Sequence, residues 1–194
     1  MRQDTLQRLF TAIPTLQTER LVLRCIEPRD KEDMYAYSRS EETTRYLLWN
    51  PHPDADYTGQ YIDYLEERYG LGDFYEWAVV LKEENRMIGT CGFTQIDTVN
   101  DTAEIGYVIH ASFCGYGYAT EAAREIIRFG FQRMRLARIS ALCMRENTAS
   151  LRVMEKCGMH KEGLLRSAIA VKGRREDLIL AALTRADFDA AQGK

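Results

Sequence analysis

The sequence predicts one α/β domain over residues 1–194, a mixed central β-sheet with helices on both faces. Three observations lead there. Strand-like segments follow one another as a meander in the first half, strands alternate with helix-like segments in the second, and a glycine turn joins a strand to a helix between them. A chain of 194 residues can bury a sizeable core as a single domain, and 45% hydrophobic with 28% charged residues is the composition of a globular protein.

Residues 1–17 are expected to form an N-terminal helical extension, because Leu6, Leu9, Phe10 and Ile13 recur at helical spacing before Pro14 ends the pattern. Residues 19–26 alternate as a strand, with Leu21 and Leu23 on one face, until Pro28-Arg29-Asp30 breaks it and a helix begins at about residue 31. The stretch 41–52 is aromatic and rich in turn residues, and Pro51 and Pro53 close it. Tyr61, Ile62, Leu65 and Tyr69 then give a helical pattern over 58–69, so 41–69 reads as a helix, loop, helix lid. Strands over 76–82 and 86–93 join at Glu83-Glu84-Asn85, and a third over 103–109 follows Asn100-Asp101. A helix over 117–134 has Ala119, Ala122, Ala123, Ile126, Ile127 and Phe131 as its apolar face. After it come a strand over 138–144, a helix over 148–156 stopped by Cys157-Gly158, and a hairpin of 163–171 with 177–183 about Lys172-Gly173.

Composition excludes several classes of function. No apolar run is long enough to cross a bilayer and the first thirteen residues lack the apolar core of a secretory signal, so a cytoplasmic protein without membrane contact is expected. The five cysteines form no Cys-x-x-Cys pair, and His52, His110 and His160 lie far apart, so no metal is expected. Charge is unevenly spread: 41–76 holds nine acids and two bases, whereas 113–175 holds thirteen Lys or Arg and five Glu. The first segment favours cations and the second anions. Nucleic acid is not an expected partner, since the net charge is -3 and no stacking motif accompanies the bases. A monomer or homodimer is expected.

The glycine turn carries the strongest signal. Cys114-Gly115-Tyr116-Gly117-Tyr118-Ala119 lies between a strand and a helix, where free backbone N–H groups and the helix dipole can hold a pyrophosphate without a basic side chain. A dinucleotide fold is a rival, because Gly115-x-Gly117-x-x-Thr120 is one residue from its fingerprint. The motif lies too late in the chain for two half-sheets, and Ser140, Ala141 and Leu142 stand where the ribose-binding acid belongs.

Taken in order, Ala103-Glu104-Ile105-Gly106-Tyr107-Val108-Ile109, Gly115-Tyr116-Gly117-Tyr118-Ala119-Thr120-Glu121-Ala122, Asn147-Thr148-Ala149-Ser150 and Lys156-Cys157-Gly158-Met159 resemble the GNAT superfamily of acetyltransferases. The resemblance spans about residues 18–188 and is to the Rim-type branch, which acetylates ribosomal protein N-termini; Thr18-Glu19-Arg20-Leu21-Val22-Leu23-Arg24 resembles that branch's opening strand. It implies acetyl-coenzyme A as cofactor. By similarity Tyr107, Val108 and Ile109 would pair with the pantetheine arm, Cys114, Gly115, Tyr116, Gly117, Tyr118, Ala119 and Thr120 would take the pyrophosphate, and Asn147 and Ser150 would sit near the thioester. Cys114 stands where the superfamily pattern begins with Gln or Arg, which leaves the phosphates to backbone groups with Arg124 or Arg152.

Acetyl transfer to an amine needs a proton acceptor, an oxyanion donor and a proton for the departing thiolate. Glu104 is the candidate base, as the Glu of a similar Ala-Glu-Ile strand is in some histone acetyltransferases of the superfamily. The N–H of Val108 is the candidate oxyanion donor, and Ser150, one turn beyond Asn147, the candidate acid; Asn147 is also a favoured helix N-cap. Cys114 has no partnered base, so direct transfer is expected rather than a cysteine-bound intermediate. The acids and aromatics of the lid, with Tyr46, Trp49, Tyr57, Tyr61 and Trp77, suit a cationic amine, either a protein N-terminus or a small molecule. The alternative is a protein that binds acyl-coenzyme A as a sensor or partner subunit without turnover.

Overall fold

The computed structural model describes residues 3–193. Eight strands form one sheet in the order β1-β2-β3-β4-β5-β6-β8-β7. They are β1 (Leu16–Gln17), β2 (Leu21–Arg24), β3 (Glu76–Leu81), β4 (Arg86–Asp97), β5 (Thr102–Ile109), β6 (Arg138–Met144), β7 (His160–Val171) and β8 (Arg174–Thr184). The helices are α1 (Gln3–Thr11), α2 (Lys31–Ser38), α3 (Glu41–Thr44), α4 (Ala55–Leu71), α5 (Tyr118–Gln132), α6 (Thr148–Lys156) and α7 (Arg185–Gln192). Every neighbouring pair of strands is antiparallel except β5 and β6, which are parallel and joined by the α5 crossover. The expected α/β class with a mixed sheet and helices on both faces is what the chain adopts.

Period-two alternation divides the sheet's side chains between two cores. On one face Trp77, Val79, Cys91, Phe93 and Ile105 meet α1 and α5; on the other Ala78, Val80 and Met87 meet α2 and α4. The expected N-terminal extension is part of the first core. Phe10 is fully buried and its ring lies edge-on to Tyr75, Trp77 and Phe129 at 4.7, 5.6 and 6.5 Å. Such a side chain costs about 3–5 kcal/mol to truncate to alanine.

Local chemistry sets the helix ends. The Asp54 carboxylate accepts from Tyr57 N–H at 2.7 Å to start α4, and Gly72 ends it in the left-handed region. The helix α7 was not expected, although Thr184 and Asp187 form the capping box that starts it. No described helix is long and apolar enough to cross a membrane.

Candidate active site

The parallel pairing of β5 with β6 stops after three residues, at Thr102, Ala103 and Glu104 opposite Arg138, Ile139 and Ser140. Beyond Glu104 the two strands diverge, and a gap opens in the middle of the sheet. Backbone direction along β5 follows from its other edge. His110 N–H donates to Ile88 at 2.8 Å, the register with β4 is unbroken from Gly89 to Phe93, and the Val108 carbonyl lies against Gly89. Alternation then turns the backbone groups of Val108 toward β4 and those of Tyr107 and Ile109 toward the gap. Two of the three residues expected to pair with an extended ligand arm therefore face the gap. Val108 does not present its N–H there, so the expected oxyanion donor is corrected: that group is engaged on the β4 side, and Tyr107 and Ile109 hold the gap-facing N–H groups.

Past the end of β5, His110 leads through the single turn of residues Ala111–Phe113 to Cys114 and the glycine turn. Gly115 and Gly117 have φ of 88° and 86°, values that favour glycine, and Gly117 is the N-cap of α5 with no side chain capping the helix. Glu121 N–H donates to Gly117 and closes the first turn, so the N–H groups of Tyr118, Ala119 and Thr120 are those a helix leaves without an intrahelical acceptor. An anion is their natural partner.

Arg20, from the start of β2, was not singled out in the sequence, and it anchors this turn. Its guanidinium donates to the Tyr116 carbonyl at 3.0 Å and to Glu121 Oε2 at 2.7 Å, and lies 4.5 Å from the Tyr118 ring centre. Thr18 Oγ1 and Arg20 N–H donate to Glu121 Oε1 at 2.6 and 2.8 Å. Burial pushes the Glu121 carboxyl up, but the bonds from Thr18 and from Arg20 outweigh it and hold the group below its usual range. The signal was present as Thr-Glu-Arg at the opening strand and a Glu one turn into α5, but no spacing rule joins residues 101 apart. Arg124 donates to the Lys156 carbonyl at the end of α6, and Arg152 is exposed on α6. Partial burial and Glu42 push the Cys114 thiol up, away from the reactive thiolate.

On the α6 side of the gap, Asn147 Oδ1 accepts from Ser150 N–H at 3.1 Å and caps α6. Ser150 Oγ lies 2.9 Å from the Tyr107 hydroxyl, which also donates to the Ser150 carbonyl at 3.0 Å. Burial pushes the Tyr107 phenol up against the pull of that bond, so the pair keeps its protons at neutral pH.

One cavity of about 550 Å³ runs through the gap. Tyr107, Asn147, Ser150 and Met154 line its α6 end; Glu76, Thr90, Glu104 and Val108 line the sheet on the other side, beneath Tyr37 of α2, Tyr61 of α4 and the lid residues Tyr46, Trp49, His52 and Tyr57. Glu104 Oε1 accepts from Thr94 Oγ1 at 3.1 Å near the rim. Glu76 lies deeper. Burial pushes its carboxyl up to about 7, against a hydrogen bond from Thr90 that lowers it. The lid is fastened across the sheet: Lys172 Nζ donates to the Thr44 carbonyl at 2.6 Å, and Tyr46 packs on Met144, Val171 and Leu178. Trp77, expected with the lid aromatics, is instead fully buried on the α1 side and donates to the Pro14 carbonyl.

This geometry suits an extended thioester ligand: a gap edge for its arm, uncapped N–H groups for its phosphates, and a cavity through the sheet for its reactive end. Known proteins share the fold. Residues 20–160 match the family model described as acetyltransferase (GNAT) domain. The chain is 35% identical over 174 residues to the uncharacterized N-acetyltransferase p20 of Bacillus licheniformis, covering 90% of this chain and 98% of that one. A solved acetyltransferase (GNAT family) from Bacillus anthracis superposes with a TM-score of 0.79 at 30% identity, over 89% of this chain and 99% of the other. The microcin C7 self immunity acetyltransferase MccE, solved in complex with acetyl-CoA and AMP, shares the fold with a TM-score of 0.77 at 20% identity, over 86% and 93% of the two chains. The chain belongs to the GNAT family of acetyltransferases, and its cofactor is acetyl-coenzyme A.

Proposed function

We propose that the protein transfers the acetyl group of acetyl-coenzyme A directly to a primary amine, on a small molecule or a protein N-terminus. The observation that carries this reading is the cavity that runs through the sheet, with hydroxyl groups at the α6 end and carboxylates on the lid side. Acetyl-coenzyme A supplies an activated acetyl thioester. The gap-facing backbone of Tyr107 and Ile109 would align its arm in strand fashion. The N–H groups from Gly115 to Thr120 would hold its pyrophosphate, steadied by Arg20.

On the lid side the cavity wall has two carboxylates, Glu76 and Glu104, and no lysine or arginine. Such a wall attracts an ammonium group and offers a proton acceptor to make it nucleophilic. An N–H of Tyr107 or Ile109 would polarise the acyl carbonyl. The Ser150 and Tyr107 hydroxyls, 2.9 Å apart, would return a proton to the departing sulfur.

The test is thiol release from acetyl-coenzyme A with a panel of amines that includes peptides of varied N-terminal residue. Amine-dependent release supports transfer. Tight cofactor binding with no release for any amine would instead support the sensor.

A further inference from the structure

We infer that Glu76 is the group that receives the acceptor amine and takes its proton, and that the acceptor is a small amine with an apolar or aromatic body. The inference rests on the acetyltransferase reading above and deepens it. Position decides between the two carboxylates. Across the sheet, Glu76 faces Gly92, which faces Gly106; in the next same-face row Ala78 faces Thr90, which faces Val108. Glu76 stands in the row that crosses β5 at Gly106, beyond the last residue paired with β6, and the two residues between it and the gap, Gly92 and Gly106, carry no side chain. Glu104 stands in the last row in which β5 and β6 are still paired, opposite Ser140. It is held at the rim by Thr94, an exposed residue.

The backbone beneath Glu76 is closely packed. A Cβ on Gly92 would stand 2.3 Å from the Tyr75 carbonyl oxygen and 2.4 Å from Glu76 Cα, so only glycine lets β3 lie this close at that row. The titratable groups facing Glu76 are Tyr37 of α2 and Tyr61 and Tyr69 of α4, with His52 of the lid and Glu104 of β5 on the same cavity, while Cys91 of β4 lies on the opposite face of the sheet. Burial keeps the three phenols and the thiol protonated and lowers the His52 imidazole, so none of them supplies a cation at neutral pH. The missing counter-charge is the substrate's. The remaining wall is apolar, with Met34, Leu65 and Phe74 on one side and Met144 and Leu178 on the other, under a fastened lid. A volume of about 550 Å³ is that of a small-molecule pocket.

The chemistry balances. Glu76 takes one proton from the ammonium, and the freed lone pair attacks the thioester carbon. The C–N bond forms as the C–S bond breaks, the second nitrogen proton reaches sulfur through the Ser150 and Tyr107 hydroxyls, and Glu76 returns its proton to water.

Two measurements test this. In calorimetry with the protein alone, 2-phenylethylamine is expected to bind at pH 8, to weaken as pH falls through about 7 when the carboxylate is neutralised, and to lose at least about tenfold in Glu76→Gln. In the transfer reaction, kcat/KM is expected to rise through the same pH range, and Thr90→Val to move that limb upward, because it removes a bond that favours the charged carboxylate. The limb is expected to persist in Glu104→Gln and vanish in Glu76→Gln. No binding of 2-phenylethylamine to the wild type, or equal binding and an unchanged limb in Glu76→Gln, overturns the inference. Glu76-dependent binding without thiol release for any amine sinks acetyl transfer but leaves the amine site. Transfer that Glu76→Gln retains with the same limb does the reverse.

Discussion

The two ends of the candidate site are made of different material. The proposed cofactor end is backbone: the edge of β5, the glycine turn and the first turn of α5 are contiguous from residue 105 to 120, and the groups they offer are N–H and C=O. The lid end is side chain, gathered from α2, α4, β3, β4, β5, β8 and the segment before α4. A backbone site depends on where glycine stands and where a helix begins; a side-chain site depends on which distant residues the fold brings together. Substitutions should therefore divide cleanly, those at the turn changing cofactor affinity and those at the lid changing acceptor handling.

The largest effect expected is at Glu76. Its carboxyl is pushed up to about 7 from an ordinary 4.5, so the stability gained from the neutral form is complete below about 4.5 and lost as pH rises through about 7. At about 1.4 kcal/mol per unit this amounts to about 3 kcal/mol. Urea unfolding between pH 5 and 8 should show that loss in the wild type and not in Glu76→Gln, which stays neutral. Equal pH dependence in both proteins would mean that the acceptor end is wetter than its walls imply.

At the other end, Gly117→Val forces a β-branched residue to φ near 86° and should weaken acetyl-coenzyme A binding by about 2 kcal/mol in calorimetry, with the far-ultraviolet spectrum of a folded protein retained. Arg20→Met removes the guanidinium from Tyr116, Tyr118 and Glu121, and should cost about tenfold in the same affinity. Smallest is Lys172→Met, which frees the lid from the β7–β8 hairpin; a two- to threefold rise in the acceptor KM with unchanged cofactor affinity is expected. If Arg20→Met altered acceptor KM instead, the division between the ends would fail.

Legibility in the sequence follows the same division. Strand β6 and helix α6 were placed to the residue, because a Gly-stopped helix after an Asn cap is a local statement. The glycine turn, Asn147 and Ser150 were legible for the same reason, and the fold brings Ser150 to the cavity that Glu104 lines. Glu76, Thr90 and Arg20 were not, because their importance depends on registers across three strands and on contacts 101 residues apart in the chain. Val108 shows a finer limit: a strand segment can be read from alternation of side chains, but which of its backbone groups face the gap depends on the pairing with β4. The helix α7 carried a cap at Thr184 that went unread beside stronger neighbouring patterns.

The most direct test of a backbone-built cofactor end is amide hydrogen exchange by nuclear magnetic resonance, with and without acetyl-coenzyme A. The cofactor should slow exchange at the gap-facing amides of Tyr107 and Ile109 and at Tyr118, Ala119 and Thr120, while Val108, already bonded within the sheet, changes least. Protection confined to Val108, or absent from the turn, would contradict the account.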